Sequence, residues 1–204
     1  MAIDWLGLAR WAKTEDEALD ALIRYAPRYK KSIGTAARSL SVPRSAKDLK
    51  VTERVDGDAT TDFGAPGAII AGDGRPLSAK ELDDALKQLR AAWSAFERTA
   101  KQKRGTNLAP AGPRGGGRTL AKMVDHVREA DEGYTSAVGG KSKPAGAEWS
   151  VVQQNFVAAV KSRNAGELPD VGPRGGRRWP AMFAMRRSAW HALDHAWELE
   201  DRAG

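Results

Sequence analysis

With 204 residues, 41% of them hydrophobic, the chain is long enough for one substantial core, or for one core with a small appended module. It has no cysteine, which excludes disulfides, zinc–thiolate sites and a thiol nucleophile carried by the protein itself. A net charge of +7 invites a nucleic-acid reading, but the basic residues are scattered through loops and helix ends without interleaved aromatics, so nucleic acid is not the expected partner.

Taken from the N-terminus, Ile3 to Trp11 alternates loosely and predicts a strand. Thr14-Glu15-Asp16-Glu17 is a capping box, in which the Thr hydroxyl and the Glu carboxylate each satisfy a free backbone N–H at a helix start. That helix presents Ala18, Leu22 and Tyr25 at helical spacing and is expected to weaken near Pro27, which removes an internal hydrogen bond. Leu49 to Val55 alternates as an amphipathic strand and ends in the turn sequence Asp56-Gly57-Asp58. Residues 1–75 therefore read as a small strand–helix–strand module of α/β class.

From Ser78 the period changes to that of long helices. Ser78 and Glu81 form a second capping box, after which Leu82, Leu86, Leu89, Trp93 and Phe96 recur at three- and four-residue steps to about Lys103. A second helix carries Leu120, Met123, Val127, Ala130 and Tyr134 and is closed by Gly139 and Gly140. A third runs from about Ala147 to Asn164, and a fourth from about Pro180 to Arg202 with Met182, Met185, Ala189, Leu193 and Ala196 in its stripe. The expected fold is mainly α: an antiparallel four-helix bundle over residues 76–204, alternating up and down, behind the α/β module. No apolar run approaches the roughly 18 residues of a membrane span. The N-terminus lacks a basic and apolar leader pattern, so a cytoplasmic chain with no membrane partner is expected.

Gly112-Pro113-Arg114-Gly115-Gly116 and Gly172-Pro173-Arg174-Gly175-Gly176 are the same five residues, each just before a helix. They are either plain turn and helix-entry signals or, on one end of an alternating bundle, loops that offer Arg114, Arg118, Arg174 and Arg178 to an anionic small-molecule substrate.

The three histidines of the chain, His126, His191 and His195, all fall in helical segments. Four residues separate the last two, which stacks both imidazoles on one helix face. A third imidazole from a neighbouring helix makes a facial set of three nitrogens, the protein half of an open metal site that keeps a position for water or substrate. His191-Ala192-Leu193-Asp194-His195 lacks the Glu of zinc-protease helices, which argues against a metalloprotease.

A histidine on the second helix of a four-helix bundle, with a His-x-x-x-His pair on the last, resembles the DinB-like (YfiT-type) superfamily of metal-binding bundles over roughly residues 78–204. The resemblance implies a divalent metal, zinc or nickel, on His126, His191 and His195. It also implies transfer or isomerisation chemistry through a low-molecular-weight thiol such as mycothiol or bacillithiol. Where such proteins follow the last ligand with Gly-Gln, this chain has Ala196-Trp197-Glu198. Asp4-Trp5-Leu6-Gly7 with Thr14 to Leu19 is similar to the strand–turn–helix of HicB-like antitoxin domains, over a stretch too short to carry function.

With a metal in place, Asp125, Glu129, Asp194 and Glu198 are the carboxylates within reach of a supporting role. Glu129 and Asp194 are the first candidates for acid–base work, because each lies three residues beyond a histidine. The sequence thus leaves two functions: an enzyme, transferase or hydrolase, in which the metal activates a water or a small thiol, and a non-catalytic, stress-related metal-binding or interaction protein. Homodimerisation is left open.

Overall fold

The computed structural model describes residues 1–62, 64–110, 117–141 and 146–203. These residues are mainly helical. The helices are α1 (Glu15–Ile33), the single-turn α2 (Ala59–Asp62), α3 (Ala79–Gln102), α4 (Leu120–Val138), α5 (Trp149–Asn164) and α6 (Ala181–Arg202). The described residues contain no strand, and pairing is limited to one bridge between Val171 and Arg177.

Both strands expected near the N-terminus are therefore absent. Residues 3–11 form turns, with Leu8 N–H donating to the carbonyl of Trp5 and Ala2 N–H to that of Leu8. Trp5, Leu6, Leu8 and Ala9 are all buried, a burial that a one-sided alternating strand cannot deliver. Side chains take over the pairing that a neighbouring strand would have supplied: Gln88 Oε1 accepts from Leu6 N–H at 3.1 Å, and the Tyr29 hydroxyl donates to the Leu6 carbonyl at 3.0 Å. Residues 49–55 are irregular, with Val51 and Val55 exposed and the segment tied to α1 by Arg54 on Glu15.

Helix α1 starts on its capping box, as expected, but runs through Pro27 to Ile33. An interior proline costs about 3 kcal/mol; here Ala26, Tyr29 and Ile33 on either side of it are buried and hold the last turns in the core. Trp5, Leu6, Leu22, Tyr29 and Ile33 belong to the same apolar cluster as Leu89, Phe96, Phe156, Leu193 and Trp197, so no gap in the core separates the first 75 residues from the rest.

The four long helices begin and end within two residues of where periodicity and capping put them, but their directions differ from simple alternation. Trp179 N–H donates to the carbonyl of Ala137 and Arg202 to that of Arg118, so α4 and α6 run antiparallel. Trp93 on Ser188, and Ala109 N–H on the Arg202 carbonyl, make α3 and α6 parallel. Leu77 with Asn164 at one end and Phe96 with Trp149 at the other make α5 antiparallel to α3. Hence α4 and α5 point the same way. Chain length permits this: Trp149, the first residue of α5, bonds Asp131, seven residues and so about 11 Å before the end of α4, and ten residues at about 3.3 Å each can span that return.

Inside, Asp131 is 1% exposed and joins three helices: Ser188 Oγ donates to its Oδ1 at 2.6 Å and the Trp149 indole to its Oδ2 at 3.0 Å. The Trp93 indole donates to Ser188 in turn. A buried Arg186–Asp73 pair fastens the segment before α3 to α6.

Candidate metal centre

His126 sits in the second turn of α4, His191 at the middle of α6 and His195 one turn further on. Because those helices are antiparallel, the three rings meet near the N-terminal end of α4. The Nε2 atoms of His191 and His126 are 3.0 Å apart, those of His195 and His191 3.2 Å, and the three ligand nitrogens all lie within 4.8 Å of one another. Ring centroids are 4.6–5.1 Å apart and the planes nearly perpendicular.

The proton positions decide what this cluster holds. An ionised carboxylate only accepts, so the 2.8 Å contact to Glu198 Oε2 places a proton on Nδ1 of His195, and in the neutral imidazole, the form that binds a metal, the lone pair is then on Nε2. One proton on His191 Nε2 serves only one of its two neighbours, whereas one cation serves all three nitrogens. Tetrahedral bonds of about 2.05 Å put ligand nitrogens about 3.3 Å apart, close to the separations along the His126–His191–His195 chain. Three imidazoles so placed are a set that could hold a divalent ion of the zinc type.

Burial, then Arg118 and His195, push His126 down to about 4. His191 is 7% exposed, and burial, followed by the neighbouring imidazoles, holds it well below the ordinary histidine range. Both are neutral at pH 7, as metal ligation requires. Burial alone pushes Glu198 up, but the bonds from His195 and Arg202 outweigh it and hold this carboxylate below its usual range. Arg202 is the anchor: it donates to Glu198 Oε1 at 2.8 Å and to the carbonyls of Ala109 and Arg118, while His191 Nδ1 is buried with no partner.

The first 11 residues brace the far side of α6. Gly7 has φ +90°, and a Cβ built there falls 2.7 Å from the backbone of Ala189 and Trp190, so the loop touches the helix one residue before His191. Arg10 pairs with Asp194 at 2.9 Å and lies over the Tyr25 ring, 3.8 Å from its centroid.

Of the expected carboxylates, Glu129 and Asp125 flank Arg128 with side chains 64% and 63% exposed, and Asp194 is bound to Arg10; none of them reaches the imidazoles. Glu198 does. The basic loops also divide. Arg118 enters α4 beside the histidines. Arg178 donates to the Ser136 carbonyl at the opposite end of α4, about 15 Å away along the helix from His126, and Arg174 is exposed in the turn just before it. The parallel course of α4 and α5 puts that loop at the wrong end, so Arg174 and Arg178 do not serve this centre. Arg114 lies outside the described residues.

Sequence reading, which takes Trp190 as a core residue or pocket wall, does not single out Arg187 or Asp131, although a charged residue in the apolar stripe, four beyond Val127, was the available signal for Asp131. A cleft of about 590 Å³ lined by Phe96, Ala100, Leu120, Val124 and Trp149 opens on another face of α4 and includes no histidine. No described helix is long and apolar enough to cross a membrane. Comparison of the chain with protein-family models, with curated proteins and with solved structures finds no match.

Proposed function

We propose that this chain is a DinB-like four-helix bundle that binds one divalent metal, zinc or nickel, through His126, His191 and His195, and acts as a metal-dependent transferase or hydrolase. The observation that carries the reading is the approach of the three Nε2 atoms, 3.0 and 3.2 Å between neighbours, in a chain with three histidines in all. Bound there, the metal supplies Lewis acidity and lowers the pKa of a water or of a low-molecular-weight thiol, the thiol coming from outside because the chain has no cysteine.

The chain's own residues prepare that position. Glu198 holds the Nδ1 proton of His195 and so directs its Nε2 lone pair inward. Tyr134, with its ring 6.1 Å from that of His191, and Trp190, at 6.0 Å, pack around the buried His191. The absence of an unpaired carboxylate at the imidazoles, among the described residues, favours a second reading in which the metal is held without catalysis.

The test of the metal reading is thermal unfolding with zinc or nickel added. An ion that binds the folded state alone raises the unfolding free energy by RT ln(1 + [L]/Kd). The wild type is expected to gain melting temperature and His195→Ala to lose the gain. An equal gain in the variant would place the ion elsewhere and end the proposal.

A further inference from the structure

The charge around the three imidazoles does not balance for a dication. Imidazole ligands bring no negative charge to neutralise it, and Glu198 is already shared between His195 and Arg202. Asp194 belongs to Arg10, while Glu132, Glu129 and Asp125 gather round Arg128. Cations, by contrast, are close: Arg118 stands at the start of α4, and Arg187 lies one turn before His191 on α6, with its guanidinium 5.1 Å from the Trp190 ring centroid. Both arginines act on His191 electrostatically; Arg187 also bonds the Tyr134 hydroxyl and feels the Asp58 carboxylate, which leaves its Nη1 as the donor still to be met.

Two hydrogen-bond donors on this turn have no acceptor. Nη1 of Arg187 and the indole Nε1 of Trp190 are both buried without a partner, an arrangement that costs free energy until an acceptor arrives. Their side chains are half-buried, so the donors lie just beneath groups that reach the surface. They have already lost their water, and an incoming anion does not have to strip it.

We propose that an oxyanion of the carboxylate class completes the three-histidine centre, held beside the metal by Arg187 and the indole N–H of Trp190. This rests on the metal reading above and adds the substrate class to it. A carboxylate fits both needs, since it offers negative charge to the ion and a second oxygen to a guanidinium fork. A thiolate offers the charge alone.

The experiment uses the full chain loaded with Co²⁺, whose visible absorption reports its ligands, titrated with acetate, acetamide and 2-mercaptoethanol. Acetate is expected to shift the spectrum saturably and acetamide to leave it unchanged. Arg187→Gln is expected to weaken acetate about tenfold or more, as loss of a charge-assisted bond predicts, while leaving cobalt affinity and 2-mercaptoethanol binding as they were. Trp190→Phe, which keeps the ring and removes the N–H, is expected to weaken acetate by a smaller factor, and provides the reading if Arg187→Gln fails to fold. Cobalt bound with no response to acetate, an equal response to acetamide, or acetate affinity unchanged in the folded variants would overturn the oxyanion proposal and spare the metal. Failure of cobalt to bind would overturn both.

Discussion

Glu198 is the carboxylate that hydrogen-bonds the imidazole cluster and ties it to the rest of the protein. Its two oxygens divide the work, one taking the Nδ1 proton of His195 and the other a proton of Arg202, whose remaining donors bind the carbonyls of Ala109 and Arg118. Supporting partners of this kind change metal affinity about 10- to 100-fold when lost. Glu198→Gln is therefore expected to weaken zinc by about that factor in calorimetric titration while keeping one-to-one stoichiometry, and wild-type affinity in the variant would show that His195 needs no orientation. The histidines themselves were legible in the sequence because an i,i+4 pair on a helix has one geometric meaning. Glu198 obeys the same three-residue spacing from His195 that drew attention to Glu129 and Asp194. What the spacing does not carry is which arginine claims each carboxylate: Arg10 takes Asp194 from a segment 184 residues away in sequence.

Among the elements, helix limits were readable because capping boxes at Thr14 and Ser78 and the left-handed Gly139 are local signals. The N-terminal strands were misread because loose alternation over Ile3–Trp11 looks alike whether one face or the whole segment is buried. Gly7 marks the difference. Its φ of +90° and the 2.7 Å approach to the α6 backbone leave no room for a methyl group, so Gly7→Ala is expected to cost more than about 2 kcal/mol in denaturant unfolding. A loss under about 0.5 kcal/mol, the size of an ordinary surface substitution, would mean that the loop does not press on α6. The Asp131 network joins α4 to α5 and α6 and carries a pH signature. Burial pushes this carboxyl up to about 7, against the pull of its bonds from Ser188 and Trp149 and of the nearby Trp93 indole. A carboxyl raised in the folded state lends stability that is complete below its unfolded pKa and is lost as pH rises through the folded value. Relative to Asp131→Asn, the wild type should thus lose a few kcal/mol between about pH 4 and pH 7, because each pH unit crossed in that window costs about 1.4 kcal/mol. Melting curves of the two proteins that stay parallel across that range would contradict the assignment.

At the scale of the whole molecule, the sequence carried the number and placement of the long helices but not their directions. Pattern reading assumes that a Gly-rich break reverses the chain, but α4 and α5 run the same way on either side of this one, with Trp149 bonded to Asp131 and Arg163 to the Val138 carbonyl. That one connection decides which loops can share an end. It puts Arg118 with the histidines and the second Gly-Pro-Arg-Gly-Gly loop at the other extreme, separating two sequence repeats that looked equivalent. The central claim is that two antiparallel helices, α4 and α6, bring His126, His191 and His195 onto one divalent ion. X-ray absorption at the metal edge, on protein purified without a nickel column and reconstituted with one equivalent of zinc, tests this most directly. Three imidazole nitrogens at roughly 2.0–2.1 Å, with at least one further light-atom ligand, are expected. A shell of oxygens without imidazole scattering, or the same spectrum from a variant with all three histidines replaced by alanine, would contradict it.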